Sequence, residues 1–263
     1  MNNILFLRVV NLLSLIAVLT ANFLANALPF NEVTTSDVSA SVPTLVTPAG
    51  FTFGVWGVIY LALLMFVIYQ ILPSQADNAH IDGIGWWFVI SSVANIIWII
   101  LWHYEQFALT VVAMLILLIS LTMIYVRLSI GTKSVNRWDY LLVNLPFSIY
   151  LAWICVATIA NVSIFLTESQ WDQFGISDAQ WAAAVIGLIV ALALIFLVTR
   201  RDFFFAAVIV WALVGIWAAR DDTSWLSYVV AAAAILVSAA ILLQLINRLL
   251  WNDSAPPITI AHE

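Results

Sequence analysis

The chain is 263 residues long, and 65% of its residues are hydrophobic while only 8% are charged, with a net charge of −6. About 25% of the residues in a soluble domain are charged, so this composition excludes a soluble globular protein. The scarcity of Lys and Arg excludes a nucleic-acid-binding surface, which needs clustered basic residues. The single cysteine, Cys155, excludes an internal disulfide and a thiolate metal cluster. We therefore expect an all-α integral membrane protein that binds no nucleic acid.

The first apolar segment runs from Ile4 to Leu28. It is long enough to cross a bilayer, which takes about 20 residues. The sequence Ala25-Asn26-Ala27 near its end is similar to a signal-peptidase site. The apolar part is nevertheless long for a signal peptide, and Arg8 is its only charged residue. We therefore expect this segment to be retained as the first membrane helix.

The hydropathy pattern predicts about eight transmembrane helices. The predicted spans, helices 1 to 8, are residues 4–28, 51–72, 84–103, 107–127, 139–161, 181–199, 203–219 and 223–247. From these spans we divide the chain into four parts. The parts are a five-helix membrane domain at 1–161, an outer loop at 162–180, a three-helix extension at 181–250 and a short cytoplasmic tail at 251–263.

The basic residues predict the orientation of these helices. With eight spans, all but one of the 8 Lys and Arg residues fall on one side of the membrane, and only Arg220 falls on the other. Basic residues concentrate on the cytoplasmic side of membrane proteins. We therefore expect a multi-pass protein of the plasma (inner) membrane with both termini in the cytoplasm. The loops at 29–50 and 162–180 then face outward.

Three of the predicted helices carry a stripe of polar and aromatic residues on one face. The stripes comprise Phe53, Trp56 and Tyr60 in helix 2; Ser91, Asn95, Trp98 and Trp102 in helix 3; and Pro146, Tyr150, Trp153, Ala157 and Asn161 in helix 5. Spacings of three and four residues place each set within one arc of its helix. Gly50, Gly54 and Gly57 lie beside the first stripe and predict the close approach of another backbone.

The predicted orientation brings these stripes to one depth in the membrane. Helix 2 runs inward and helices 3 and 5 run outward, so the central residues lie about 6–14 Å below the outer ends of their helices. Asn95 should face the bundle, because an asparagine in hydrocarbon is costly without a partner. Helix–helix packing around an asparagine hydrogen bond is one interpretation. The shared depth favours the other, a pocket for a flat apolar molecule with aromatic walls and a few polar groups.

The stripes resemble the TspO/translocator protein family, whose members are also called tryptophan-rich sensory proteins or peripheral-type benzodiazepine receptors. The matching patterns are Asn95-x-x-Trp98, Trp153-x-x-x-Ala157-x-x-x-Asn161, and Pro48 followed by Phe53 and Trp56-x-x-x-Tyr60. The resemblance covers residues 4–161 in the five-helix order of that family. Residues 181–247 add three helices that the five-helix members lack.

The resemblance implies a pocket for porphyrins, haem or sterol-like ligands that the long first loop closes. The residues expected to line it or to lie near the loop are Pro48, Phe51, Trp56, Tyr60, Asn95, Trp98, Trp153, Ala157 and Asn161. We expect no catalytic and no metal-binding residue, and no required cofactor, although a porphyrin or haem would be the bound molecule. The expected partners are this small ligand and the lipid bilayer, and the bundle is compatible with a homodimer.

Three functions are compatible with this interpretation. The first is a membrane receptor or sensor that binds the ligand and transports or regulates it. A small-solute permease would need ionisable groups at the membrane midplane, and the predicted spans offer none there. An enzyme acting on bound porphyrin would need a general acid or base at the depth of the pocket, where the sequence places only Trp and Tyr. We therefore favour the receptor over the enzyme.

Two further residues bear on this choice. His103 at the outer end of helix 3 could ligate a haem iron, but no second axial ligand is evident, so we expect an interfacial residue. Trp211 is deep in helix 7 but on no shared stripe. Helices 6 to 8 hold almost no polar group at mid-membrane depth, so we expect them to pack closely without contributing to the pocket.

Overall fold

The computed structural model describes residues 2–28, 30–220 and 224–250, which fold into a bundle of eight apolar helices. These are α1 (Asn2–Ala27), α2 (Val55–Gln70), α3 (Trp87–His103), α4 (Phe107–Arg127), α5 (Leu145–Glu168), α6 (Asp178–Arg200), α7 (Phe203–Ala218) and α8 (Trp225–Leu250). Six of them, counted with the turns that extend α2 and α5, are long and apolar enough to cross a membrane, and α3 and α7 are shorter apolar helices. The predicted all-α membrane fold with about eight helices is confirmed.

The helix boundaries differ from the predicted ones mainly at α5. Its end at Glu168 lies seven residues beyond the predicted end at Asn161, so the first part of the predicted outer loop is helical. Asn161 does not end the helix, because it is buried and its amide forms hydrogen bonds inside the bundle. The predicted tail at 251–263 and the predicted start of the last helix at 223 lie outside the described residues.

A turn of π-helix, Tyr140–Asn144, precedes α5. Pro146 lies at the second position of α5 and has no backbone N–H to donate to the preceding turn. Wider turns of this kind relieve such an interruption of the hydrogen-bond ladder. The aromatic residues of α5 keep their helical spacing because the irregularity lies before the stripe begins.

The helices pack in an order that surrounds α5. α1 lies against α2 and α3, α3 packs along α4, and α4 packs along α5. α7 lies on the other side of α5, and α6 and α8 pack on α7. The segment between α1 and α2 crosses one end of the bundle and contacts the end of α3. We call residues 30–49 the lid and this end of the bundle the lid end.

A buried carboxylate joins α7 to α4 and α5. The Asp202 carboxylate accepts hydrogen bonds from the Tyr125 hydroxyl at 2.8 Å and from the Ser148 hydroxyl at 2.7 Å. It also accepts from the backbone N–H of Phe205 at 3.0 Å, so it caps the N-terminus of α7. A buried anion needs such donors to offset its loss of hydration. Asp202 therefore fixes α7 against α4 and α5.

We expect Asp202→Asn to lower the free energy of unfolding by about 2 kcal/mol, since hydrogen bonds to a charged group contribute about 1.5–3 kcal/mol. The amide offers one acceptor oxygen, and its NH₂ group faces hydroxyls that already donate. Thermal unfolding of the purified protein in detergent measures the effect. Asp172→Asn is the matched control, because Asp172 caps an exposed turn. Equal losses in the two variants would contradict the anchoring role of Asp202.

Candidate functional site

The three predicted stripes meet in the bundle, and Trp56 lies at their centre. Its ring stacks on Tyr60 at 5.3 Å between centroids and lies 6.3 Å from the Trp98 ring. It also meets the rings of Trp153 and Tyr150 edge-on at 6.2 and 5.9 Å. Edge-on and offset-stacked rings are the favourable arrangements of aromatic pairs. The residues predicted from helices 2, 3 and 5 therefore form one aromatic cluster.

Asn95 faces the bundle interior, as predicted, and is completely buried. Its side-chain NH₂ group donates to the Tyr150 hydroxyl at 3.1 Å. Its carbonyl oxygen accepts from the side chain of Asn22 on α1 at 2.9 Å. Asn22 lies on none of the predicted stripes, although an asparagine within an apolar helix indicates a buried partner. α1 thus belongs to the site together with α2, α3 and α5.

Asn161 connects the stripe of α5 to two other helices. Its carbonyl oxygen accepts from the indole N–H of Trp98 at 3.3 Å, and its NH₂ group donates to the Thr110 hydroxyl at 2.9 Å. These bonds fix the plane of the Trp98 ring on α3. Ala157, one turn before Asn161, is partly buried against the core. The predicted site residues of α5, Trp153, Ala157 and Asn161, therefore lie on one side of the helix and face the bundle interior.

Two polar atoms of the aromatic cluster are buried without a hydrogen-bond partner among the described residues. They are the indole N–H of Trp153 and the Tyr60 hydroxyl, which interacts with the Asn95 side chain without a hydrogen bond of normal geometry. A buried polar group without a partner costs about 1–3 kcal/mol. Polar groups left in this way inside an aromatic cluster are suited to binding a ligand that carries hydrogen-bonding groups.

The cluster separates two spaces of very different size. The inner cavity, about 30 Å³, is lined by α5 residues with Pro48, Phe53, Trp56, Trp98 and Trp102 among its other walls. The α1 groove, about 710 Å³, lies between α1, the lid, α2 and α3. Phe53, Trp56 and Trp98 line both spaces and so form the wall between them.

The two spaces differ in whether they have room for a ligand. A cavity of about 30 Å³ has room for roughly one or two water molecules. Sites for drug-sized ligands are about 300–1,000 Å³, a range that the α1 groove reaches and the inner cavity does not. Trp153, Ala157 and Asn161 line the inner cavity and not the groove. The large space therefore lies on the α1 side of the aromatic wall, because the stripes pack tightly where they meet.

The lid is held by the end of α3. The indole N–H of Trp102 donates to the backbone carbonyl of Thr35 at 3.1 Å, within the lid helix Thr35–Ser41. Thr34 and Asp37 form a capping box at the start of this helix. The hydrogen bonds that Asp37 accepts from the hydroxyl and the backbone N–H of Thr34 hold the pKa of its carboxyl below the usual value. The lid therefore has a defined structure above the groove.

His103 does not lie at the interface as expected, because the lid covers it. It is completely buried, its Nδ1 lies 2.7 Å from the carbonyl oxygen of Ile99, and its ring meets Phe30 edge-on. The side chain of Asn31 donates to the backbone carbonyl of His103 at 3.2 Å. His103 lines neither the inner cavity nor the α1 groove. Its place supports a role in holding the lid and not in ligating a haem iron.

The two residues predicted beside the lid have different surroundings. Pro48 is buried and lines the inner cavity. Phe51 is 51% exposed, lines neither space, and meets the ring of Trp211 edge-on at 5.5 Å. The side chain that is buried in this turn is Thr52. Phe51 therefore packs outward on α7.

α7 contacts the turn before α2 directly, although none of its residues lines the inner cavity or the α1 groove. The indole N–H of Trp211 donates to the carbonyl of Thr52 at 3.0 Å, and the backbone N–H of Ala49 donates to the carbonyl of Gly215 at 3.0 Å. A Cβ atom on Gly215 would lie 2.0 Å from the Thr52 hydroxyl oxygen. Trp211 thus supports the turn that carries Phe53.

The close backbone approach predicted at Gly54 and Gly57 is wrong. No atom of the described residues lies within 4 Å of a Cβ built on either glycine. Both glycines are exposed on the outside of the bundle and do not line the α1 groove. The close contact is made instead at Gly215 of α7, which belongs to none of the predicted stripes.

The sequence model of the family described as "TSPO-like protein" matches residues 8–246. The matched range begins in α1 and ends in α8, so it includes α6 and α7 as well as the helices of the aromatic cluster. No curated protein and no solved structure matches the chain. With the match covering most of its length, the chain belongs to the TSPO-like protein family of integral membrane proteins.

Proposed function

We propose that the protein binds a flat apolar ligand, such as a porphyrin, haem or a sterol, in the α1 groove. The observation that carries this proposal is the aromatic wall of Phe53, Trp56 and Trp98 along a space of about 710 Å³. Aromatic rings offer a planar molecule a large contact area at a small loss of side-chain freedom. Family membership supports the same class of ligand through the resemblance described above.

Polar groups at the groove suit the substituents of such ligands. Tyr60 lines the groove, and its buried hydroxyl has no hydrogen-bond partner of normal geometry among the described residues. Asn22 and Asn26 line the α1 side, one helical turn apart. The Asn26 amide makes one hydrogen bond, to the Asn22 carbonyl, and would offer its other N–H to a carboxylate or hydroxyl on the edge of a flat ligand whose rings lie on the aromatic wall. The Asn22 amide already donates to Val18 and Asn95. A few placed polar groups in an apolar site are typical of small-molecule pockets.

We infer that the protein acts as a receptor or sensor that transports or regulates its ligand without transforming it. No Asp, Glu, His, Lys or Arg is among the described residues that line the α1 groove or the inner cavity. A general acid or base would have to come from such a residue or from Tyr60. Phe23 on the α1 side of the groove is 69% exposed, which supports access for an apolar ligand from the lipid.

We also propose that the protein resides in the plasma membrane with both termini in the cytoplasm. Apart from Arg220, the Lys and Arg residues lie at the end of the bundle opposite the lid end. This distribution supports an outward-facing lid, because basic residues concentrate on the cytoplasmic side. Accessibility labelling of single cysteines introduced at Ser41 and at Lys133 would test the orientation.

The position of the ligand is tested by filling each space separately. Ala27→Trp places a large ring at the exposed rim of the α1 groove, and we expect it to weaken porphyrin binding about fivefold, which is about 1 kcal/mol. Ala157→Phe overfills the inner cavity, so we expect lower thermal stability and porphyrin affinity within about threefold of the unsubstituted protein. Fluorescence titration with protoporphyrin IX in detergent measures both, and the same samples followed under illumination report any conversion of the porphyrin.

Ala184→Trp is the matched control, because Ala184 is exposed on α6 and lines neither space. Its affinity for protoporphyrin should equal that of the unsubstituted protein. If Ala157→Phe abolishes binding in a folded sample while Ala27→Trp binds normally, the ligand lies between α2, α3 and α5 and not in the α1 groove. Absence of saturable binding by the unsubstituted protein to protoporphyrin, haem and cholesterol would overturn the proposal.

A further inference from the structure

A separate pocket lies at the lid end, between the lid, the end of α5 and the start of α6. Its volume is about 200 Å³, and none of its lining residues lines the α1 groove or the inner cavity. Thr44 and neighbouring lid residues form one side, and Thr167 lies on the α5 side. α6 forms a third side, to which its first turn contributes Asp178 and Trp181. We call this space the surface pocket.

Aromatic rings form one wall of the surface pocket. The rings of Trp171 and Trp181 both line it, with centroids 5.1 Å apart and planes inclined by 54°. Phe174 meets Trp171 edge-on at 5.3 Å and supports it from outside. The indole N–H of Trp181 donates to the carbonyl of Gln173 at 3.0 Å, which fixes the orientation of this ring. Two differently inclined ring faces are therefore held at one small space.

A carboxylate lies in the same pocket. Asp178 lines it, and the side-chain NH₂ group of Gln173 donates to one of its oxygens. The surrounding surface has the same sign of charge. At the lid end, in the connections and the adjoining helix ends, the described residues include six acidic residues and the single basic residue Arg220. The acidic residues are Glu32, Asp37, Glu105, Glu168, Asp172 and Asp178. This field attracts cations and repels anions.

We propose that the surface pocket binds a small organic ammonium group, carried by a free solute or by a lipid headgroup. A cation near the faces of Trp rings is attracted by their electron density, and ammonium ligands are commonly recognised by groups of aromatic rings. Asp178 supplies the opposite charge, and the hydroxyls of Thr44 and Thr167 offer acceptors to an N–H or to a neighbouring polar group. The pocket is unsuited to a metal ion, because Asp178 is the only carboxylate that lines it.

Occupation of this pocket would also affect the lid. Lid residues, the end of α5 and the start of α6 line the same space. A bound ammonium group would therefore lie between the lid and both helices. The ligand would then stabilise the position of the lid above the α1 groove. This inference goes beyond the proposed porphyrin or sterol site and does not depend on it, since the two sites share no lining residue.

Calorimetric titration of the full chain in detergent with tetramethylammonium and choline chlorides tests the free-solute form. We expect saturable binding that is about fivefold weaker in Asp178→Asn and in Trp181→Leu, the loss associated with one exposed cation–π or carboxylate contact. Asp178→Glu should restore most of the affinity. Trp217→Ala is the matched control at the same end of the bundle, outside the pocket, and should bind as the unsubstituted protein does.

The lipid form is tested on the full chain in nanodiscs that contain equal amounts of phosphatidylcholine, phosphatidylethanolamine and phosphatidylglycerol. Native mass spectrometry should then find ammonium lipids retained over phosphatidylglycerol, and this preference should be lost in Asp178→Asn and Trp181→Leu. Binding in either experiment, with loss in the pocket variants and not in the controls, supports the proposal. Thermal unfolding confirms that each variant is folded. If neither experiment detects binding, or if folded pocket variants bind as well as the controls, the proposal is overturned.

Discussion

Gly215→Ala is expected to weaken ligand binding at least about tenfold, although Gly215 lines neither the inner cavity nor the α1 groove. The added Cβ would lie 2.0 Å from the Thr52 hydroxyl oxygen, 2.6 Å from its methyl carbon and 2.9 Å from its Cβ. Contacts this short force either α7 or the turn Gly50–Gly54 to move. That turn carries Phe53, which belongs to the aromatic wall of the groove. Overpacking of this kind also costs about 1–3 kcal/mol of stability.

The matched control is Gly187→Ala on α6. No described atom lies within 4 Å of a Cβ built on Gly187, so this variant should bind and unfold like the unsubstituted protein. Thr52→Ala, introduced together with Gly215→Ala, removes two of the three close atoms and should recover part of the lost affinity. The Thr52 hydroxyl has no hydrogen-bond partner among the described residues, so its removal costs little by itself. Normal porphyrin titration of Gly215→Ala would contradict the proposed support of the groove by α7.

The helices and the aromatic cluster could be predicted from the sequence, because both depend on the length of apolar segments and on the spacing of nearby residues. A helix in lipid needs an apolar stretch of defined length, and a spacing of three and four residues places side chains on one face. Trp56, Trp98 and Trp153 follow these rules, and their rings meet. Because successive helices cross the membrane in alternating directions, the same rules predict that the three stripes lie at one depth. None of these steps required knowledge of distant contacts.

The position of the large space was not accessible in the same way. It depends on which helices are neighbours and on how fully the side chains fill the volume between them. The spacing within α2, α3 and α5 says that their stripes can meet, but it does not say that they meet too tightly to leave room. It also does not identify α1 as the opposite wall. The hydrogen bond between Asn22 and Asn95 joins residues 73 positions apart, and the sequence marks neither as the partner of the other.

The glycines illustrate the same limit. The pattern at Gly54 and Gly57 is typical of close helix packing, yet both meet open space. Gly215 and Ala219 also have this small-residue spacing, but the close contact at Gly215 is with the Thr52 side chain, which the spacing does not identify. His103 was misplaced for a related reason, because the path of the lid over the end of α3 depends on contacts such as that of Trp102 with Thr35.

Trp56→Ala is expected to have the largest effect on ligand binding of any single substitution in the aromatic cluster. Trp56 lines both the inner cavity and the α1 groove, and its ring contacts Tyr60, Trp98, Tyr150 and Trp153. Its removal opens the wall between the two spaces and leaves the neighbouring rings without support. We expect porphyrin affinity to fall about a hundredfold, which is about 2.7 kcal/mol, because a stacking face is lost together with the contacts that orient the remaining rings.

Trp56→Phe keeps an aromatic face in the wall and should lose only about fivefold in affinity, which is about 1 kcal/mol. Trp138→Ala, a change of equal size at a residue that is 60% exposed and lines neither space, should leave the affinity unchanged. Fluorescence titration with protoporphyrin on folded samples separates these outcomes, with thermal unfolding as the check on folding. Trp153 distinguishes the two positions of the ligand, because it lines only the inner cavity. If folded Trp56→Ala binds normally while Trp153→Ala does not, the ligand contacts α5, and the aromatic wall belongs to the packing of the bundle.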